Sequence, residues 1–290
     1  MRLLVGFDSA WTPRNKGAIV AVIHGCNGVQ SSLGAPQLVN FVDAVDLIRT
    51  WQREIEPEST LILLDQPTVV ANALRQRPVE QIVCSSVSAR RGGMQPASTS
   101  RTEMFGQEAP IWSFLREFGG VADPMLAVPH GPAVLETYPV LAMIALGWVR
   151  KDERARGRLL KYNPQRRRTF VHADWQFLCE QVASSFRTEQ LNELAGWPDT
   201  ARSLARPRKS DQDKLDACLC LLVALHLADG YPGLMVGDVP SGYIVVPHSA
   251  SLQEELSERC RVIDRRPSEW VRKINYGGVA GSGSPAAGTG

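Results

Sequence analysis

Acidic side chains end two apolar segments of the 290-residue chain, at positions suited to binding cations. Asp8 ends the β-prone segment 2–7, and Asp65 ends the continuous apolar run 61–64. Carboxylates at the ends of neighbouring buried strands repel each other and raise each other's pKa, unless a cation lies between them. Hard oxygen ligands in this arrangement suit Mg²⁺ or Mn²⁺. The pattern therefore predicts a divalent metal site.

Two further acidic features strengthen this prediction. Glu136 lies inside the apolar run 133–138, where a carboxylate is costly to bury without a partner. Asp213 and Asp216 are three residues apart on a predicted helix, so both side chains lie on one helix face. Two metal ions about 4 Å apart are the usual device for in-line displacement at a phosphodiester. The predicted catalytic residues and metal ligands are Asp8, Asp65, Glu136, Asp213 and Asp216.

Each acid taken alone also has an ordinary structural interpretation. Asp8 and Asp65 precede prolines and could simply open turns. Ser210 is a candidate N-cap, with Asp213 in the first helical turn, where an acid complements the helix dipole. The order strand, strand, strand, helix is nevertheless much harder to obtain by accident than any one of these features. We therefore interpret the acids as one site.

Three basic segments are predicted to border the acids. Residues 150–168 carry nine Lys and Arg against two acids, residues 200–210 contain basic residues and no acid, and Arg90 and Arg91 lie in the loop after the Asp65 strand. Basic side chains neutralise an approaching phosphate backbone, and an aromatic ring among them can stack on a base. A solvated basic face without a partner is the alternative. The predicted substrate-binding residues are Arg90, Arg91, Lys161, Tyr162, Arg166, Arg167, Arg206, Arg208 and Lys209.

The elements that must position these residues belong to an α/β protein. A β-meander of strands 2–8, 17–23 and 28–33 is predicted first, because apolar β-prone runs alternate with turn residues. Residues 84–110 are small, polar and basic, which predicts a long exposed loop. Later strands are predicted at 61–65, 133–138 and 242–246, and helices at 40–54, 107–117, 140–146, 169–185, 189–195, 211–229 and from 252.

Several short motifs resemble those of an uncharacterised bacterial and archaeal family of predicted RNase H-like nucleases. They are Gly6-Phe7-Asp8-Ser9-Ala10-Trp11, Leu64-Asp65-Gln66-Pro67, Glu136-Thr137-Tyr138-Pro139 and Asp213-Lys214-Leu215-Asp216-Ala217, with Leu160-Lys161-Tyr162 and the strand 242–247.

The resemblance implies a mixed five-stranded sheet flanked by helices. It places the carboxylates on the first strand, the fourth strand and a late helix, which correspond to Asp8, Asp65 and the Asp213/Asp216 pair. The spacing of that pair is similar to the Holliday-junction resolvase branch. Glu136 is a feature of the family and not of the wider superfamily.

The resemblance also organises the chain. We expect an RNase H-like domain over residues 1–247, with a mobile loop at 84–110 and a basic helical insertion at 147–210. A helical C-terminal extension is expected at 248–276. The Gly-, Ser- and Ala-rich residues 277–290 are expected to be disordered.

Two other functions remain open at this stage. Actin-like and sugar-kinase phosphotransferases also start from an acid on the first strand, but residues 9–13 make a poor phosphate loop. A non-catalytic nucleic-acid-binding protein could keep the same fold.

Composition limits the class of protein further. Six cysteines without a C-x-x-C pair, no apolar run longer than 12 residues and an early Asp8 predict a reduced, cytoplasmic protein with no membrane span and no signal peptide. Scattered histidines predict no zinc site. The sequence leaves open DNA or RNA as the partner, and leaves the oligomeric state open, a dimer included.

Overall fold

Two β-sheets form the framework of the protein, as seen in a computed structural model that describes residues 1–25, 30–126, 130–153 and 155–276. One sheet is six-stranded and mixed, and the other has three antiparallel strands. The strands are β1 (Arg2–Asp8), β2 (Gly17–His24), β3 (Gln30–Ser32), β4 (Gln37–Val39), β5 (Ser59–Leu64), β6 (Gly131–Glu136), β7 (Gly233–Asp238), β8 (Gly242–Pro247) and β9 (Val271–Ile274).

Helices cover both faces of the larger sheet, so the predicted α/β class is confirmed. They are α1 (Phe41–Ile55), α2 (Pro78–Ala89), α3 (Thr102–Phe105), α4 (Pro110–Glu117), α5 (Pro139–Ala145), α6 (His172–Thr188), α7 (Asn192–Arg202), α8 (Lys209–Ala228), α9 (Ala250–Val262) and α10 (Pro267–Trp270). None of the helices in these described ranges is long and apolar enough to cross a membrane.

The larger sheet has the strand order β3-β2-β1-β5-β6, with β4 also paired to β2. β1, β2 and β3 form the predicted antiparallel meander, whereas β5 and β6 run parallel to β1. The sheet therefore has six strands instead of five, because residues 37–39 add the short strand β4. Part of the predicted third strand, residues 28–29, lies outside the described residues.

Each face of this sheet has its own apolar core. On one face, Phe7 and Ile62 pack with Ile48 of α1 and Phe114 of α4. On the other face, residues such as Leu4 pack in the large core that contains α8 and the second sheet. Alternate residues of β1 thus enter different cores, as the period of two in a strand requires.

A glycine allows α8 to lie directly on β1. A Cβ on Gly6 would come 2.2 Å from the carbonyl oxygen of Ala217 and 2.4 Å from the amide nitrogen of Leu221, both in α8. A side chain would therefore force the helix away from the strand. This close approach brings the start of α8 to the end of β1, where Asp8 lies.

The irregular segments differ from the predictions. Residues 84–89 belong to α2, so the predicted loop begins later, and α3 interrupts it. Residues 150–153 and 155–171 of the predicted helical insertion are irregular, with one bridge between Arg150 and Arg158, whereas α6 and α7 form its helical part.

The C-terminal extension is not purely helical. After α9 and α10 the chain returns as β9, which pairs with β7, and Val271, Ile274 and Tyr276 join the large core. Residues 277–290, predicted to be disordered, lie outside the described residues.

Candidate active site

The sheet places Asp8 and Asp65 side by side at one edge. Phe7 and Leu64 are partners in the parallel ladder of β1 and β5, and the Asp65 amide donates to the Phe7 carbonyl at 2.9 Å. Both aspartates come directly after this pair, so they follow the same ends of adjacent strands. Asp8 is buried, with 5% of its surface exposed, and Asp65 is half-buried.

Helix α8 supplies the other two aspartates, and it begins earlier than predicted. Its N-cap is Arg208, whose backbone amide is held by the side chain of Asp211 at 2.7 Å. The predicted N-cap at Ser210 is therefore wrong, because that residue is already in the helix. Asp211 accepts the capping hydrogen bond of the first turn, so Asp213 and Asp216 are not needed to cap the helix. Both are buried.

The four aspartates are close enough to perturb one another. Burial, then the charges of Asp65 and Asp216, raise the pKa of Asp8 well above its ordinary value. Burial and then Asp216 do the same to the pKa of Asp65. Burial also raises the pKa of Asp216 to about 6, even though Lys209 and two hydrogen bonds lower it. The structure thus brings together Asp8, Asp65, Asp213 and Asp216.

The positive charge inside this group is the ammonium of Lys209. It forms an ion pair with Asp213, one turn further along α8. Burial lowers the pKa of Lys209, but the charges of Asp8, Asp216 and Asp213 outweigh burial and raise it. Among the described residues, no group of three or more His, Cys, Asp or Glu side chains is already arranged to hold a metal ion. Lys209 was predicted to bind substrate, but in the structure its ammonium forms an ion pair with Asp213.

Two side chains orient Asp216. The Tyr162 hydroxyl donates to Oδ1 at 2.7 Å, and the Gln212 side-chain amide donates to Oδ2 at 3.0 Å. The other polar atom of Gln212, Oε1, is buried and has no hydrogen-bond partner. A buried acceptor without a donor is costly, so this oxygen is available to a ligand. Tyr162 was predicted to stack on a base, but in the structure its hydroxyl donates a hydrogen bond to the Asp216 carboxylate.

Glu136 has different partners from the four aspartates. Both of its oxygens bind the guanidinium of Arg77, at 2.6 and 2.9 Å, and the Thr68 amide donates to Oε2 at 2.8 Å. Arg77 is fully buried and also binds Glu80. Burial raises the pKa of Glu136, and Arg77 opposes this shift. The charge of Glu136 still reaches Asp65, whose pKa it raises.

The prediction of Arg90 as a substrate contact is not supported by this geometry. Its guanidinium is buried and makes a two-point ion pair with Glu255 of α9, at 2.9 and 2.8 Å. Arg90 therefore fastens α9 to α2. Arg91 is about half exposed and pairs with Asp152 at 3.3 Å.

The basic segment 150–168 is partly structural. Arg150 and Arg158 both bind the buried carboxylate of Asp174, at 3.1 and 2.5 Å. Asp174 also accepts a hydrogen bond from the Lys161 backbone amide at 2.8 Å. This network anchors the irregular segment to α6. The predicted contacts that remain exposed are Arg91, Arg166, Arg167, Arg206 and Arg208.

A cleft of about 380 Å³ opens beside the acids, and we call it the carboxylate cleft. Asp65, Asp216 and Gln212 line it on the acidic side, and Lys161 and Arg166 line it as well. Burial, then Arg158 and Arg166, lower the pKa of Lys161. The remaining wall is largely apolar and includes Trp11, Met94, Met104, Tyr138 and Tyr162.

Sequence reasoning did not identify Arg77 or Gln212. Gln212 immediately precedes Asp213 in the motif, so its position was the available signal. Arg77 lies outside every motif, and nothing local indicates that it binds a glutamate 59 residues away. Trp11, which closes the motif that contains Asp8, lines the cleft.

The described residues thus form an α/β protein with buried carboxylates beside a cleft at one edge of its sheet. The chain belongs to the family described as "Protein of unknown function (DUF429)", which matches residues 6–241 and so spans all five predicted acids. No curated protein and no solved structure matches the chain.

Proposed function

We propose that this protein is a metal-dependent nuclease with an RNase H-like fold. The observation that carries the proposal is the convergence of four aspartates, from β1, β5 and α8, on one edge of the sheet. A mixed sheet flanked by helices is the arrangement that the resemblance implies, and this sheet has one strand more, β4. Asp8 ends β1, Asp65 follows β5, which corresponds to the implied fourth strand when β4 is set aside, and Asp213 and Asp216 lie on α8.

The donor set fits Mg²⁺ or Mn²⁺. Carboxylate oxygens are the ligands these hard ions prefer. The pKa values of Asp8 and Asp65 are raised first by burial and then by neighbouring aspartates, and a cation would relieve both effects. The unpartnered Oε1 of Gln212 adds a neutral oxygen beside Asp216. Asp8, Asp65, Asp213 and Asp216 would hold the ion, and the ammonium of Lys209 would leave Asp213 to admit it.

A bound ion would supply Lewis-acid stabilisation of the phosphodiester and a more acidic water. The residues of this chain do the remaining work. Tyr162 and Gln212 fix the orientation of Asp216 through one hydrogen bond to each oxygen. Arg77 holds Glu136 next to Asp65, where the glutamate acts as a positioning residue. Lys161 and Arg166 neutralise the phosphate that enters the cleft.

The decisive experiment measures metal binding and cleavage separately. Mn²⁺ binding is followed by calorimetry, and cleavage is assayed on DNA and RNA oligonucleotides in Mn²⁺ or Mg²⁺. We expect wild-type protein to bind Mn²⁺ and to cleave, and we expect Asp8→Asn and Asp216→Asn to abolish cleavage while circular dichroism stays unchanged. Wild-type protein that binds no Mn²⁺ and cleaves no nucleic acid would overturn the proposal.

An exposed aspartate provides the matched control. Asp46 lies on α1, which packs on the opposite face of the sheet from α8. Asp46→Asn removes the same charge by the same chemical change, so we expect metal binding and cleavage to remain at wild-type levels. Equal losses in Asp46→Asn and Asp216→Asn would show that net charge, and not this site, matters.

A further inference from the structure

The acids are recessed in the protein. Asp8 and Asp216 are each only 5% exposed, and Asp216 lines the carboxylate cleft of about 380 Å³. Clefts of this size hold small ligands, so a single nucleotide is a closer match to it than a base-paired backbone. Enzymes with recessed reactive groups act on single strands or on nucleotides turned out of a duplex.

The lining of the cleft fits the chemistry of a nucleoside. Trp11, Tyr138 and Tyr162 supply aromatic surface, and Met94 and Met104 supply polarizable side chains. Aromatic rings bind bases by stacking without selecting a sequence, since every base has a π-face. The carboxylates lie along the same cleft, so a base held by these walls places its own phosphate near the acids.

The conformation of Trp11 supports a functional use of this ring. Its φ is +59°, in the left-handed region that a bulky residue rarely adopts. The ring packs edge-on against the buried Phe105, with centroids 5.8 Å apart. A strained backbone that persists beside the acids is stabilised by its surroundings, and it holds the indole in the cleft wall.

Charge completes the match. Lys161 and Arg166 line the same cleft as Asp65 and Asp216, so cationic and anionic groups face one small volume. A nucleotide carries its negative charge on the phosphate and presents a neutral base. It would therefore meet basic groups at the phosphate and apolar walls at the base.

From these contacts we propose that the carboxylate cleft binds one unpaired nucleotide, so that the substrate is single-stranded nucleic acid. This inference rests on the proposed nuclease function and narrows its substrate. Duplex would be attacked only where a nucleotide is unpaired, at a frayed end, a flap or a loop.

The test compares three labelled oligonucleotides of one sequence with wild-type protein: the single strand, its blunt duplex and the duplex with a single-stranded flap. Binding is measured by fluorescence anisotropy in EDTA, and cleavage is measured in Mn²⁺. We expect the single strand to bind at least about tenfold more tightly than the blunt duplex. We expect cleavage to be confined to unpaired nucleotides.

Trp11→Ala tests the aromatic wall. We expect single-strand binding to weaken about five- to hundredfold, because one stacked base is lost, while Trp11→Phe retains most of it. Tyr231→Ala is the control, since this exposed tyrosine follows the far end of α8, about 30 Å from its first turn. Should Trp11→Ala fail to fold, Tyr138→Ala tests the same wall.

The outcomes separate the two proposals. Equal binding and cleavage of single strand and blunt duplex would overturn the substrate inference and leave the nuclease proposal standing. Selective binding of the single strand without cleavage of any substrate in Mn²⁺ would overturn the nuclease proposal instead. Unchanged binding in Trp11→Ala and Tyr138→Ala would also overturn the inference.

Discussion

At the scale of single residues, the aspartates of the site are costly to ionise in the folded protein. The pKa of Asp8 is raised first by burial and then by Asp65 and Asp216, so its ionised form is disfavoured in the folded protein. Asp216, with a pKa raised from 3.8 to about 6, carries the same cost. Groups tuned in this way are common where proteins bind ligands or catalyse reactions, and their removal often stabilises the fold.

We therefore predict that Asp8→Asn stabilises the metal-free protein. Below pH 3.8 the carboxyl is protonated in both states, and above that value the unfolded chain loses its proton first. The wild-type free energy of unfolding should thus fall as the pH rises above 3.8, and less so in Asp8→Asn. At pH 7 the variant should be more stable, by about 0.5–2 kcal/mol.

Urea denaturation in EDTA at several pH values measures this difference. Asp46→Asn serves as the control, because Asp46 is exposed and should leave the pH profile unchanged. A destabilised Asp8→Asn protein at pH 7 would contradict the prediction and would indicate that the Asp8 carboxylate has a stabilising partner.

A second prediction concerns Lys209. Its ammonium pairs with Asp213 and is attracted by Asp8 and Asp216, so it competes with a divalent ion for the same oxygens. Lys209→Met should lower the stability of the metal-free protein and raise Mn²⁺ affinity about tenfold or more. Calorimetry and denaturation measure the two effects, which have opposite signs.

Lys214→Met is the matched control on the same helix. Lys214 is not among the main charges that shift the pKa values of Asp8, Asp65 and Asp216, so neither effect is expected. Weaker Mn²⁺ binding in Lys209→Met would count against competition and would favour a role for Lys209 in shaping the site.

At the scale of elements, the decisive contact is between β1 and α8. Gly6→Ala would place a Cβ 2.2 Å from the Ala217 carbonyl oxygen, and backbone atoms cannot yield as a flexible side chain does. We expect destabilisation of about 1–3 kcal/mol and a loss of Mn²⁺ affinity, since α8 must move away from Asp8. Denaturation and calorimetry on one preparation test both effects.

Gly196→Ala in α7 makes the same chemical change without the clash. A Cβ there meets no atom within 4 Å, so the variant should be neutral or stabilised by about 0.5–1 kcal/mol. If Gly6→Ala behaved like Gly196→Ala, the packing of α8 on β1 would not be what positions the aspartates.

Much of this arrangement was predictable from local patterns. Apolar runs ending in Asp8 and Asp65, and the helical spacing of Asp213 and Asp216, identified the elements that carry the acids. Strands β4, β7 and β9 were not predicted. β4 and β9 have only three and four residues, whereas β7 has six and its partner β8 follows directly after residues 239–241.

Sequence reasoning did not predict the partners of Arg90 and Glu136, because these partners are distant in the chain. Arg90 looked like part of an exposed basic loop, but its partner Glu255 is 165 residues away. Glu136 was correctly singled out as costly to bury, yet its partner Arg77 has no local signal. The sequence pattern indicates which charged side chains need a partner when they are buried. The identity of that partner becomes visible only in the folded structure.

At the scale of the whole molecule, the net charge of +2 conceals an uneven distribution. Residues 150–168 contribute +7, so the rest of the chain carries −5. The structure divides this segment again, because Arg150 and Arg158 neutralise Asp174 while Arg166 and Arg167 remain exposed. The exposed fraction of the segment, and not its total charge, is available to a phosphate backbone.

The salt dependence of binding should separate these two groups of arginines. For a single strand, log affinity falls with log salt concentration by about 0.7 per phosphate contact. Arg166→Gln should therefore lower the slope by about 0.7 and weaken binding, because Arg166 is exposed and lines the cleft. Arg90→Gln should leave the slope unchanged.

Arg90→Gln is expected to lower the stability of the protein and to leave nucleic-acid binding unchanged. Its partner Glu255 would lose the two-point ion pair and keep the longer contact with Arg156, at 3.4 Å, and a hydrogen bond with Ser86, so Arg90→Gln should destabilise the fold by about 2 kcal/mol. Anisotropy titrations across salt concentrations, paired with denaturation of both variants, measure slope and stability together. A buried ion pair releases no counterions from a phosphate backbone. If Arg90→Gln reduced the salt dependence of binding while its free energy of unfolding stayed at the wild-type value, Arg90 would have to contact the nucleic acid directly.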